Sequence, residues 1–139
     1  MALTFQIMPQ RGLVYVRYTG HLLFKDTVAA VAQYAAHPDA HPGQKQLVDL
    51  AAVTGYQRDF TKLMQIQASK AEIFTGGRSE TLIVYYAPTD LSLELARIVE
   101  RSWTDAPGVV VSIQTTQEAA LSILGQPETS FAALLKQQV

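Results

Sequence analysis

Alternation of apolar and polar positions opens the chain. Leu3, Phe5 and Ile7 alternate with Thr4 and Gln6, and beyond Pro9-Gln10-Arg11-Gly12 the residues Val14, Val16 and Tyr18 alternate with Tyr15 and Arg17. A period of two is that of a half-buried strand, so the two stretches predict an antiparallel hairpin. Gly20 is expected to break its second strand. The period then lengthens: Phe24, Val28, Val31, Ala32 and Ala35 fall on one face of a helix over 23–36, stopped by His37-Pro38.

The breaker-rich segment His37-Pro38-Asp39-Ala40-His41-Pro42-Gly43 leads to a short apolar strand, 45–50, which runs through Asp49 into a loop of small residues. A second helix is expected over 59–74, with Asp59 as N-cap, an inward stripe of Phe60, Leu63, Met64, Ala68, Ala71 and Phe74, and Gly76-Gly77 as its stop. Thr81-Leu82-Ile83-Val84-Tyr85-Tyr86 is apolar on both faces, as in a parallel sheet covered on both sides. Pro88-Thr89-Asp90 caps a third helix that turns Leu91, Leu95, Ile98 and Val99 inward and Glu94, Arg97, Glu100 and Arg101 outward. The strand 109–113 follows, and Thr115 with Glu118 reads as a capping box for a helix carrying Ala119, Ala120, Ile123 and Leu124 up to Gly125.

The order is ββαβαβαβα: an α/β fold with a single mixed five-stranded sheet, strands 2–5 parallel and wound as one superhelix, plus a short C-terminal helix. Residues 1–125 are read as the domain and 126–139 as a tail, with a short helix around Phe131, Leu134 and Leu135. Right-handed crossovers make successive strands add side by side, and such a sheet has no topological switch point, where open α/β sheets usually form their ligand crevice. This lowers the expectation of a nucleotide-binding enzyme. The apolar second face of the later strands needs a cover. The tail is preferred, a second subunit is the alternative, and a homodimer is carried as an expectation.

Composition narrows the function classes. The chain has 139 residues, 48% of them hydrophobic and 17% charged, with eleven basic and twelve acidic side chains and a net charge of −1. That suffices for one buried core, and shows no basic patch for nucleic acid. Without cysteine there is no disulfide, thiol nucleophile or thiolate metal site. No apolar run reaches the ~20 residues of a membrane helix, and the N-terminus lacks the pattern of a signal peptide, so a cytoplasmic, soluble protein without membrane insertion is expected.

Four stretches together resemble the SpoIIAA-like branch of the STAS fold (sulfate transporter and anti-sigma-factor antagonist). Tyr15-Val16-Arg17-Tyr18-Thr19-Gly20 is similar to its second strand, and Leu47-Val48-Asp49-Leu50-Ala51-Ala52-Val53-Thr54 to its central strand and loop. Leu82-Ile83-Val84-Tyr85 resembles the next strand, and Ile113-Gln114-Thr115-Thr116-Gln117-Glu118-Ala119-Ala120-Leu121 the closing strand and helix. The resemblance implies a non-enzymatic regulatory domain that binds a protein partner through the loop after the central strand, switched in anti-sigma-factor antagonists by phosphorylation of a serine. The equivalent stretch here, Gly55-Tyr56-Gln57-Arg58-Asp59-Phe60, holds no serine; Thr54 and Thr61 flank it away from the expected position. The switch is therefore expected to be missing.

The candidate site is that loop: Asp49, Thr54, Tyr56, Arg58 and Asp59. Asp49, an acid inside an apolar strand, is read first as an anchor that accepts backbone N–H groups from the loop. Tyr56 and Arg58, placed at the loop tip, are side chains favoured at protein contacts. Tyr85, Tyr86 and Trp103 are read as packing. His37 and His41, with Asp39 between them, could in principle hold zinc or nickel, but each precedes a proline in a turn, so no metal and no cofactor are expected. His21 could act as a general base with Asp26, Asp49 or Asp90, but a turn residue is the simpler reading and no catalytic residue is assigned. Two further functions stay open: carriage of a small apolar ligand or lipid between sheet and helices, and an enzyme using His21 with a nearby carboxylate.

Overall fold

The computed structural model describes residues 2–77 and 79–136. Strand β1 (Leu3–Met8) pairs antiparallel with β2 (Leu13–Leu22) through a tight turn closed by Gly12, whose φ of 60° suits a residue without a Cβ. Then follow α1 (Phe24–Ala36), β3 (Lys45–Tyr56), α2 (Phe60–Thr75), β4 (Thr81–Tyr86), α3 (Asp90–Ser102), β5 (Val109–Gln114), α4 (Gln117–Ile123) and α5 (Phe131–Lys136). The sheet runs β1-β2-β3-β4-β5 with every pair after the first parallel, so the expected one-way mixed sheet is the fold.

Sequential right-handed crossovers put α1, α2 and α3 on one face. There Val14, Val48, Ile83 and Tyr85 of the sheet pack with Tyr34, Phe74, Leu95 and Trp103 of the helices and their ends. The opposite face, with Tyr15, Leu47 and Val84, is covered by Leu121, Leu124, Phe131 and Leu134. The C-terminal tail thus covers the second face together with α4. Phe131 meets Tyr86 and Tyr15 edge-on at ring-centroid distances of 4.9 and 5.7 Å, and Glu128 ahead of α5 binds Arg11 at 2.8 Å. Burial holds the helix, and the ion pair fixes the approach of the chain leading to it.

Four local expectations are corrected. Gly20 does not end β2: it sits inside the strand at φ 73°, and the strand continues to Leu22. Likewise β3 does not stop at Leu50 but runs to Tyr56. Both follow from two bulges, where Arg17↔Asp49 is succeeded by Thr19↔Ala52 and Gly20↔Val53 by His21↔Gly55, each time with one extra residue on β3. Small residues that resemble a loop in sequence are there accommodated within a bent strand. The inward faces of α1 and α2 are also rotated. Phe24, Thr27 and Tyr34 are buried in α1 while Val28 is 51% exposed, and in α2 Gln67, Ala71, Phe74 and Thr75 are buried while Phe60 is 43% exposed. Tertiary hydrogen bonds override the apolar pattern: Tyr34 donates to Gln44 at 2.5 Å and Gln67 to Ser102 at 3.1 Å. Finally, the N-cap of α4 is Thr116, which accepts from the Ala119 amide, so Thr115 and Glu118 form no capping box.

Candidate functional site: a cavity under helix α2

The linker between β3 and α2 is only 57–59, and each residue in it has a structural task. Gln57 Oε1 accepts the Phe24 amide at 3.0 Å, capping α1, whose own N-cap position offers no side-chain bond. Asp59 accepts the Lys62 amide at 3.1 Å, the N-cap bond expected of it. Arg58 lays its guanidinium 4.5 Å from the centre of the Tyr56 ring and 3.6 Å from Glu94.

The structure separates the predicted site residues. Tyr56 is not at a loop tip: it is 6% exposed at the end of β3, with its hydroxyl donating to Glu94 at 2.7 Å. Burial, then the Glu94 carboxylate, raise its phenol above the ordinary pKa. Tyr56, Arg58 and Asp59 all line one cavity. Asp49 belongs to the opposite face. It is buried, accepts the Tyr15 hydroxyl at 2.5 Å and the Ala51 amide at 3.0 Å, and so anchors the first bulge rather than a loop. Thr54 is exposed at the second bulge, and Thr61 is exposed in the first turn of α2.

The other chemical candidates do not converge. His21 is exposed on β2 with its Nδ1 against the Gly55 Cα, where an added Cβ would come within 2.7 Å. His37 Nδ1 accepts the Asp39 amide at 3.0 Å and the His41 amide donates to Gln44 at 3.2 Å, which makes this loop a self-bonded turn. Among the described residues no group of three or more His, Cys, Asp or Glu side chains is placed to hold a metal, and no helix is long and apolar enough to cross a membrane.

The cavity that Tyr56 helps to line has a volume of about 360 Å³ and lies between the sheet and the three helices α1, α2 and α3. Tyr18, Leu50 and Tyr85 form its floor, Phe24 and Thr27 one side, Leu95 and Val99 the other, and Leu63, Gln67 and Lys70 its roof. Exposed Arg58, Phe60 and Arg101 stand at its rim, with the Arg101 guanidinium 5.9 Å from the Phe60 ring centre. A smaller space of about 50 Å³ continues beneath it, sharing Tyr18, Lys70 and Tyr85. Well-packed interiors leave few voids larger than a water molecule, whereas ligand sites run from ~300 to ~1,000 Å³.

Two polar groups in this apolar space are unmatched. The Ser102 hydroxyl gives its proton to the Val99 carbonyl, so it can only accept from Gln67, which orients the amide with Nε2 toward Ser102. Gln67 Oε1 is then buried without a partner. Lys70, one turn further along α2, is half-buried and forms no ion pair or hydrogen bond among the described residues; its Nζ lies 5.4 and 5.9 Å from the ring centres of Trp103 and Phe74. Desolvation pushes its pKa down to about 8. The phenols of Tyr18 and Tyr85 are pushed up, mainly by burial, and stay protonated. Gln67 and Lys70 lie outside the site expected from the sequence and outside the apolar stripe expected on α2, which names Phe60, Leu63, Met64, Ala68, Ala71 and Phe74. Their signal was the spacing Leu63, Gln67, Lys70, Phe74, a helical face interrupted by two long polar side chains.

The chain matches no protein-family model, and no curated protein aligns with it significantly.

Proposed function

We propose that this chain is a binding domain that holds a small apolar ligand between its sheet and helices α1–α3, without chemistry on it. The observation that carries this reading is the open, largely apolar cavity of about 360 Å³ between the sheet and helices α1–α3. Native mass spectrometry of freshly purified protein tests it. A co-purifying small molecule, or a rise in melting temperature on adding apolar ligands, is expected. An interior that stays empty and a melting temperature that no apolar compound shifts would overturn it.

A second reading, a protein partner recognised at the loop after the central strand, is favoured by the rim. Arg58 and Phe60 are exposed there beside Arg101, and aromatic and arginine side chains are enriched in contact hot spots. Combining Arg58→Ala with Phe60→Ala is expected to weaken a partner at least tenfold while leaving the fold intact; unchanged affinity removes the reading. The STAS-like relationship is proposed with it, supported by the four similar stretches and the one-way strand order.

A further inference from the structure

We propose that the cavity takes an apolar monocarboxylic acid head-first, with the carboxylate accepting from the Lys70 ammonium and the acyl or aryl tail filling the space toward the rim. The inference rests on the cavity being a ligand site and names the class of ligand. An ammonium placed among apolar groups without a counter-ion is costly, and the Trp103 and Phe74 rings compensate its charge only in part, leaving its N–H donors unused. A carboxylate supplies both the missing charge and the missing acceptors.

The remaining walls agree. Tyr18, Leu50, Leu63 and Tyr85 offer ring and aliphatic surface that suits a hydrocarbon tail. Among the described residues no acidic side chain is paired with Lys70, whereas the rim charges largely offset one another, Arg58 being paired with Glu94 and Arg101 being accompanied by Asp59. A phosphate monoester is a poorer match, because among the described residues Lys70 is the one unpaired cation facing the cavity interior, and a dianion would leave a buried charge uncompensated.

The test compares decanoate with 1-decanol, which have the same tail and differ in the head. Binding is followed by the fluorescence of Trp103, the chain's single tryptophan, which lies beside the Lys70 ammonium. Wild-type protein is expected to prefer decanoate by about 10- to 100-fold, the range of a charge-assisted hydrogen bond. Lys70→Met and Lys70→Gln should bring the two probes within about threefold of each other, whereas Arg101→Gln should leave the preference in place. Equal binding of acid and alcohol to the wild type overturns the carboxylate assignment and leaves the cavity reading standing. A preference that survives both Lys70 variants but disappears in Arg101→Gln places the head at the rim and overturns the proposal. Failure of both probes to bind, with no cargo in the native mass spectrum, overturns the cavity reading and the proposal together.

Discussion

Lys70 is half-buried without a counter-ion among the described residues. Its pKa in the folded chain, about 8, lies below the ordinary 10.5, so the cost of burying the charge is present in full below pH 8 and disappears as pH rises toward 10.5. The free protein should therefore gain stability with rising pH. Between pH 8 and about 9.5 the gain is roughly 1–2 kcal/mol, read by urea unfolding at each pH. Lys70→Met should remove that slope; a slope that persists in the variant shows that another group is responsible. The window ends below tyrosine's ordinary 10, because the buried Tyr15, Tyr18 and Tyr85, all raised, act in the opposite sense above it. Asp49 makes a different kind of contribution. Asp49→Ala strands the Tyr15 hydroxyl and the Ala51 amide at the first bulge and should cost about 2–4 kcal/mol by equilibrium unfolding. If Asp49 served the ligand instead, the substitution would weaken decanoate binding with little loss of stability.

At the scale of the element, α2 shows how much its C-terminal stop matters. Gly76 ends the helix at φ 59°, its amide bonded to the Glu72 carbonyl, and a Cβ there would come within 2.9 Å of Pro42. Gly76→Ala should lower stability by about 1–2 kcal/mol, because the left-handed conformation and the close approach both oppose it. Gly77, with φ 75° but open space around it, should be the more tolerant of the two, and an equal loss at both positions would show that only conformation matters. Helix α5 covers rather than positions. Phe131→Ala with Leu134→Ala leaves Tyr15, Leu47 and Tyr86 uncovered and should cost at least about 4 kcal/mol, with increased binding of a hydrophobic dye. The capped ends of α2 and α3 were readable from Asp59, Gly76 and Thr89, since a cap is a local bond between near neighbours. The inward faces of α1 and α2 were not, because their polar members are held by residues distant in sequence.

For the whole molecule, ligand and proton are linked through the cavity. A carboxylate that needs the charged form of Lys70 should bind more weakly as pH rises through 8, about tenfold per unit once the free side chain is mostly neutral. The titratable neighbours that line the same space are Tyr18, Tyr56 and Tyr85, all raised, and the charged residues are Arg58, Asp59 and Arg101. Isothermal titration of decanoate at pH 7 and at pH 9.5 checks this, and a pH-independent affinity contradicts it. A bound acid should also raise the melting temperature in proportion to the logarithm of its concentration, as any ligand of the folded state does.

The periods of two and of three to four residues, together with the glycine and proline punctuation, determined the number, type and order of the main elements. Right-handed crossovers then allowed a single winding. The bulged continuation of β2 and β3 was decided only in three dimensions, where Thr19 to Leu22 find partners in Ala52 to Tyr56 although the sequence there is rich in small residues. The same is true of the cavity. Gln67 and Lys70 are polar members of an amphipathic pattern, and only the bond of Gln67 to Ser102 and the Trp103 and Phe74 rings beside Lys70 place them at the cavity. Local patterning reports which side chains are compatible with water; whether they meet it depends on partners brought together from the rest of the chain.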